Sequence, residues 1–245
     1  MNIKPILFNT DMTRAILAGR KTATRRLVKK FSATKGITIE KTPCGEFYVE
    51  CRGMPTDFQL HPPYDPGDLL WVRETWATTP NGQDYLYKAD SDSDGAFIRD
   101  RYGKLHSPRW RPSIHMPKEA ARIFLSVESV HVDRLWDSFG KHGAVALSIE
   151  EEGIHLPEEC IDCVDRYGCP CCSDLDESLP YDEQTGEDSN GGSECGMLDE
   201  VRQVFAEIWD STIKAPKREI YGSDADPWVW IVRFERCEKP KEWME

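Results

Sequence analysis

No stretch of this 245-residue chain reaches about 18 consecutive apolar residues, which excludes a membrane-spanning helix from the sequence. It has no Gly-x-Gly-x-x-Gly and no Walker phosphate loop, so dinucleotide-dehydrogenase and ATPase readings have no support. The Met1 to Leu17 stretch has no continuous apolar segment, being interrupted by Lys4, Asp11 and Arg14. It does not read as a secretory signal, and the expected location is the cytoplasm. Net basic charge is also missing: 31 Lys and Arg against 43 Asp and Glu give −12, which excludes a strongly basic nucleic-acid coat protein. Apolar residues are not scarce. At 39% hydrophobic the chain can build a real core, so wholesale disorder is excluded. At about 150 residues per domain the length allows one or two domains, and no internal repeat is visible.

The charge is unevenly spread. Seven basic residues (Arg14, Arg20, Lys21, Arg25, Arg26, Lys29 and Lys30) fall within one short stretch, a local face able to meet a nucleotide despite the acidic total. From Glu150 to Glu200 Arg166 is the single Lys or Arg among many acids. The same region holds Cys160, Cys163, Cys169, Cys171 and Cys172, five of the nine cysteines. In a reducing compartment such clustering reads as metal ligation before disulfides.

Local patterning predicts a mixed α and β chain. A short strand over Ile3 to Phe8 leads to N-capping residues at Asn9-Thr10-Asp11 and a helix ended by Gly19. Gly19 to Arg26 follows as a loop or new helix start. Two strands flank a turn at Pro43-Cys44-Gly45, and a Pro-rich turn around Pro66-Gly67-Asp68 leads into a strand from Leu69 to Trp76. Asp84 to Ala89 reads as a strand, Asp90 to Ser107 as a polar loop, and Phe124 to Val132 as a strand. Leu147 to Gly153 and Leu198 to Ile213 read as helices, the second amphipathic, and Trp228 to Phe234 as a closing strand. Six or so strands with two or three helices suggest a small mixed barrel. Residues 155–197 read as an acidic, cysteine-rich insertion into a domain formed by 1–154 and 198–245.

Three places can carry chemistry. In Gly19-Arg20-Lys21-Thr22-Ala23-Thr24-Arg25-Arg26, a helix would set Lys21 and Thr24 three apart on one face. A lysine amine whose pKa is lowered by burial or by neighbouring cations can activate a hydroxyl. The alternative is a solvated basic loop. In Trp71-Val72-Arg73-Glu74-Thr75-Trp76, a strand would put Glu74 and Trp76 on one face, suited to stacking a base and accepting from its exocyclic group. The alternative is a barrel strand with tryptophan in the core. The cysteine run contains two Cys-x-x-Cys pairs, Cys160 with Cys163 and Cys169 with Cys172, the knuckles of a tetrahedral structural zinc site. Cys171 or Cys195 could replace one ligand, and the alternative is reduced, unliganded thiols. His115, between prolines in Trp110-Arg111-Pro112-Ser113-Ile114-His115-Met116-Pro117, could face a cleft or belong to a packed loop. Trp209 and Trp228 read as core.

On these residues the chain resembles the ASCH domains, whose fold is related to PUA RNA-binding barrels. Their signature Gly-x-Lys-x-x-Glu-x-Arg is matched at Gly19, Lys21 and Arg26, with Thr24 in place of the Glu. That change is shared with the small bacterial N(4)-acetylcytidine amidohydrolases, which carry Gly-Arg-Lys-Thr-x-Thr here. Trp-Val-Arg-Glu-Thr-Trp and Trp-x-Pro-Ser-x-x-Met-Pro make the chain similar to larger phage and prophage ASCH proteins. The resemblance covers most of residues 1–150 and the closing strand, and it implies an α+β, PUA-like barrel flanked by a few helices. It implies Lys21 as proton acceptor and Thr24 as nucleophile. A later Glu would be the proton donor, with Glu152 the closest match and Glu74 its rival.

Two functional classes follow. One is an amidohydrolase acting on an N-acylated cytosine nucleoside, with Arg25, Arg26, Arg73, Trp76 and His115 available to bind substrate. The other is a non-catalytic module that grips RNA or a modified nucleotide with Lys21, Arg25, Arg26 and Trp76. Neither reading requires a membrane, and protein partners are not specified.

Overall fold

The computed structural model describes residues 2–29, 34, 36–79, 82–91, 98–99, 105–139, 144–154 and 196–240. The architecture is α+β. The strands are β1 (Ile3–Leu7), β2 (Ala23–Leu27), β3 (Ile37–Lys41), β4 (Phe47–Cys51), β5 (Met54–Leu60), β6 (Leu69–Arg73), β7 (Trp76–Thr78), β8 (Tyr85–Tyr87), β9 (Ile98–Arg99), β10 (Leu105–His106), β11 (Phe124–Arg134) and β12 (Trp228–Cys237). The α-helices are α1 (Thr10–Leu17), α2 (Ala144–Glu151), α3 (Gly196–Ser211) and α4 (Arg218–Tyr221). Five strands form one sheet in the order β1-β6-β11-β12-β2, and β3-β4-β5, β7-β8 and β9-β10 form smaller ones. No helix among the described residues is long and apolar enough to cross a membrane.

The chain divides into two compact units. The first comprises Met1–Thr24, Pro62–Val130 and Val232–Glu245. Here β1 runs parallel to β6, with Leu7 opposite Arg73, and β6 is antiparallel to β11, with Leu70 opposite Leu125. Alternation along β6 buries Leu70 and Val72 completely. The turn before β6 is fixed by Asp68, whose carboxylate accepts from the Asn2 N–H at 2.9 Å and the Asp65 N–H at 3.1 Å and pairs with Lys4 at 2.7 Å. Gly67 takes φ +85° there, a backbone shape that glycine adopts without a Cβ penalty. At the start of α1 the Asn9 side chain accepts from the Met12 N–H at 2.8 Å, the N-cap expected from the sequence.

The second unit comprises Arg25–His61 and His131–Ile231. Its core gathers Leu135, Phe139, Ile149, Phe205, Trp209, Val229 and Ile231. Rings of Phe139 and Phe205 meet edge to face at 4.6 Å, and Phe205 stacks on Trp209 at 6.1 Å. The amphipathic helix expected from Leu198 is α3, and its Phe205 and Trp209 are the residues buried here. The hairpin sheet β3-β4-β5 contributes Phe47, which meets Trp230 edge to face at 4.9 Å. Trp228 is also buried, as expected.

Several local expectations are corrected. Gly19 to Arg26 contains no second helix, so Lys21 and Thr24 do not share a helical face. Lys21 lies in the turn after α1 and Thr24 in β2. Gly19 at φ +76° ends the helix, and the β-branched Thr24 lies in extended backbone beyond it. The strand read from Leu69 to Trp76 stops at Arg73 and resumes at Trp76. The segment read as a loop from Asp90 includes the short β9-β10 pair. A strand absent from the sequence reading, β5, completes the hairpin sheet. Its exposed Met54 and Phe58 give it no alternating signal. The cysteines proposed for zinc, Cys160, Cys163, Cys169 and Cys172, with the alternates Cys171 and Cys195, lie outside the described residues.

Candidate functional site

Three polar side chains named from the sequence are buried in the first unit. Lys21 is 2% exposed, Thr24 3% and Glu74 1%. Burial of such groups is costly unless each is held by partners, so their surroundings carry information. The end of α1 sets Lys21: the Ala15 carbonyl accepts from both the Arg20 and Lys21 N–H groups, at 2.9 and 3.2 Å. The Lys21 amine donates to the Ala23 carbonyl at 2.7 Å, the peptide next to Thr24, and stands 5.5 Å from the centre of the Phe8 ring.

Phe8 connects this lysine to the end of β6. Its N–H donates to the Arg73 carbonyl at 3.2 Å, one residue before Glu74. Because β1 and β6 are parallel, Phe8 and Glu74 both lie just beyond the carboxyl ends of their strands. The Phe8 ring also contacts Phe234 of β12 at 6.1 Å, while the Phe234 N–H donates to the Thr22 carbonyl at 2.8 Å. The segment carrying Lys21 and the strand end carrying Glu74 are thus tied to the same phenylalanine.

Glu74 sits where the strand breaks. Its N–H faces the Met116 sulfur at 3.2 Å. Both carboxylate oxygens accept from Arg122, Oε1 from Nε at 2.9 Å and Oε2 from Nη2 at 3.0 Å. The same guanidinium holds Asp90 through two further bonds at 2.7 and 2.8 Å and lies 3.8 Å from the centre of the Tyr87 ring. Burial raises the Glu74 pKa above the ordinary glutamate value, the nearby Asp90 charge adds to that, and Arg122 opposes both. Burial also pushes the Tyr87 phenol up to about 12, and its hydroxyl donates to the Ala120 carbonyl at 2.7 Å.

The remaining sequence candidates are placed as follows. Trp76 is 4% exposed and packs with Met116 and Ala120, with the Arg111 guanidinium 4.9 Å from its ring centre and Tyr85 5.8 Å away. Arg73 donates to the Ile114 carbonyl and lies 5.4 Å from the centre of the Trp71 ring. His115 is exposed in a single 3-10 turn. Arg25, Arg26 and Glu152 belong to the second unit. There the Arg25 guanidinium pairs with Glu152 at 3.0 Å, donates to the Ser138 hydroxyl and carbonyl at 2.7 and 2.9 Å, and lies 3.7 Å from the centre of the Phe139 ring. Arg26 is partly buried in β2.

Among the described residues, no group of three or more His, Cys, Asp or Glu side chains could hold a metal ion. Sequence reasoning missed Arg122 and Asp90. An arginine flanked by apolar residues in Ala120-Ala121-Arg122-Ile123 was the available signal for a partnered, partly buried cation. A scan against protein-family models and searches of curated proteins and of solved structures find no match to this chain.

Proposed function

We propose that the protein is an ASCH-like amidohydrolase that removes the acyl group from an N-acylated cytosine nucleoside. The observation that carries the reading is the burial of Lys21, Thr24 and Glu74 in one unit, with Lys21 and the strand end before Glu74 both bound to Phe8. The PUA-like barrel belongs to the same proposal. So does a structural zinc on Cys160, Cys163, Cys169 and Cys172.

The chemistry is acyl transfer. Thr24 Oγ attacks the acetamide carbonyl carbon while the Lys21 amine, acting as base, takes its proton. The tetrahedral intermediate collapses by breaking the carbon–nitrogen bond, and the Glu74 carboxyl protonates the departing cytosine amine. Water then attacks the threonine ester, giving a proton to the Glu74 carboxylate, and Thr24 leaves with the proton held on Lys21. The products are the free amine and a carboxylic acid, and every side chain returns to its starting state.

Glu74 takes the acid role in this reading. It lies in the unit that holds Lys21 and Thr24, and burial favours its protonated form.

Incubation with N(4)-acetylcytidine, followed by chromatography for cytidine, tests the proposal. Thr24→Ala abolishes product formation while leaving substrate affinity largely intact, because a nucleophile contributes mainly to the chemical step. Cytidine release by Thr24→Ala at the wild-type rate overturns the mechanism. Nucleoside or RNA binding without release by the wild type favours the binding-module alternative.

A further inference from the structure

We propose that Arg122 is the positioning residue for Glu74, and that Asp90, on the outer side of the same guanidinium, sets how strongly Arg122 acts on it. The inference rests on the reading of Glu74 as the proton donor. Arg122 holds both oxygens of a carboxyl that is 1% exposed, which fixes the plane in which that carboxyl can present a proton. Asp90, whose side chain is 53% exposed, binds the other edge of Arg122. One cation is therefore divided between an inner and an outer carboxylate, and its hold on the inner one depends on the outer.

The geometry around the guanidinium leaves it little freedom. Tyr87 from β8 lies against its face, and the Tyr87 hydroxyl is anchored on Ala120, two residues before Arg122. Asp90 belongs to the 3-10 turn Lys88–Asp90, directly after β8. Arg14 of α1 donates to the Ala89 carbonyl at 3.0 Å and to the Ser91 carbonyl, bracketing Asp90. The titratable groups gathered about Glu74 are Arg122, Asp90 and Tyr87, with Tyr85 beside Tyr87. Met116 completes the surroundings without charge.

The charges assign opposite signs to two substitutions. Asp90→Asn removes a negative charge near Glu74 and leaves Arg122 wholly to it, so Glu74 titrates at lower pH. Arg122→Gln removes the opposing cation, so Glu74 titrates at higher pH. The midpoint is read from the carbon-13 signals of the glutamate carboxyls across a pH series, with Glu74→Gln used to identify the Glu74 signal. The same proteins are assayed on N(4)-acetylcytidine. Arg122→Gln is expected to lower kcat about tenfold or more while KM stays within about twofold, because orientation of the acid acts on the chemical step. Arg122→Lys restores the charge but not the two-point hold, so it recovers the titration midpoint more fully than kcat.

Opposite shifts in Asp90→Asn and Arg122→Gln support the inference. Shifts of the same sign, or none in correctly folded Asp90→Asn, overturn it. Opposite shifts in a protein without turnover support the Arg122–Glu74 coupling and overturn the amidohydrolase reading. Turnover without the shifts overturns this inference alone.

Discussion

Among the described residues, each unit buries a glutamate against an arginine, and the two pairs are built differently. In the second unit Arg25 and Glu152 are both nearly inaccessible, with side-chain exposures of 1% and 5%, and Ser138 and Phe139 hold the arginine. In the first, the buried Glu74 meets an Arg122 that is 27% exposed and already shared with the exposed Asp90. A pair buried on both sides suits a structural role, because removing one charge costs the other its buried partner. A buried carboxyl with a shared, partly solvated cation can change protonation at lower cost. The two glutamates named as rival acids from the sequence thus sit in differently built arginine pairs.

The largest expected effect tests the sealed pair. Arg25→Met removes the Arg25 cation from the buried Glu152 and costs about 3–5 kcal/mol, read as a lower urea midpoint at an unchanged slope. Adding Glu152→Leu recovers most of that loss, because two apolar side chains of similar size replace a desolvated pair. A single variant as stable as the wild type would show that the pair is not structural.

The open pair is tested by Glu74→Gln. Loss of a general acid lowers kcat by roughly 10²–10⁴-fold. Stability changes far less than in Arg25→Met, since Arg122 keeps Asp90. Measured side by side with Glu152→Gln on N(4)-acetylcytidine, the two variants should separate: Glu74→Gln loses turnover with the fold intact, and Glu152→Gln loses stability first. The reverse pattern would make Glu152 the acid.

Much of the contrast was hidden in the sequence. The elements were legible where a local signal set them: the Asn9 cap, the apolar spacing of Phe205 and Trp209, and the alternation of β11 from Phe124. Lys21 and Thr24 were visible as residue types, but the helix proposed to join them was not, since Gly19 takes a left-handed backbone and starts a turn. The partners of the glutamates could not be read. Glu74 and Arg122 are 48 positions apart, and Arg25 and Glu152 are 127 apart. No local period encodes such distances. In the proline-clamped segment, read as a cleft-facing or a packed loop, Met116 packs against Trp76 and Ala120. His115 beside it is turned out to solvent.

The protonation of Glu74 gives a smaller effect with a definite sign. Its folded pKa lies above the ordinary value of 4.5, so folding favours the neutral carboxyl. That contribution is fully present below the unfolded pKa and is lost as pH rises through the folded one. The stability of the wild type relative to Glu74→Gln should therefore decline as pH rises across that interval and level off above it. If Glu74 acts as the acid, kcat declines on the same limb. A stability difference that grows with pH would mean that Arg122 outweighs burial.

The smallest effect is expected at the outer carboxylate. Asp90 is more than half exposed, and ion pairs in that position contribute about 0–1 kcal/mol because solvent screens them and ordering the side chains costs entropy. Asp90→Asn should therefore shift the urea midpoint slightly, against the several kcal/mol expected for Arg25→Met. The same substitution is expected to move the pH dependence of turnover toward lower pH, through Arg122. A large pH displacement at nearly constant stability would mark the Asp90–Arg122–Glu74 cluster as chemical. A loss of stability comparable to Arg25→Met, with the pH profile unmoved, would make this cluster as structural as the sealed pair.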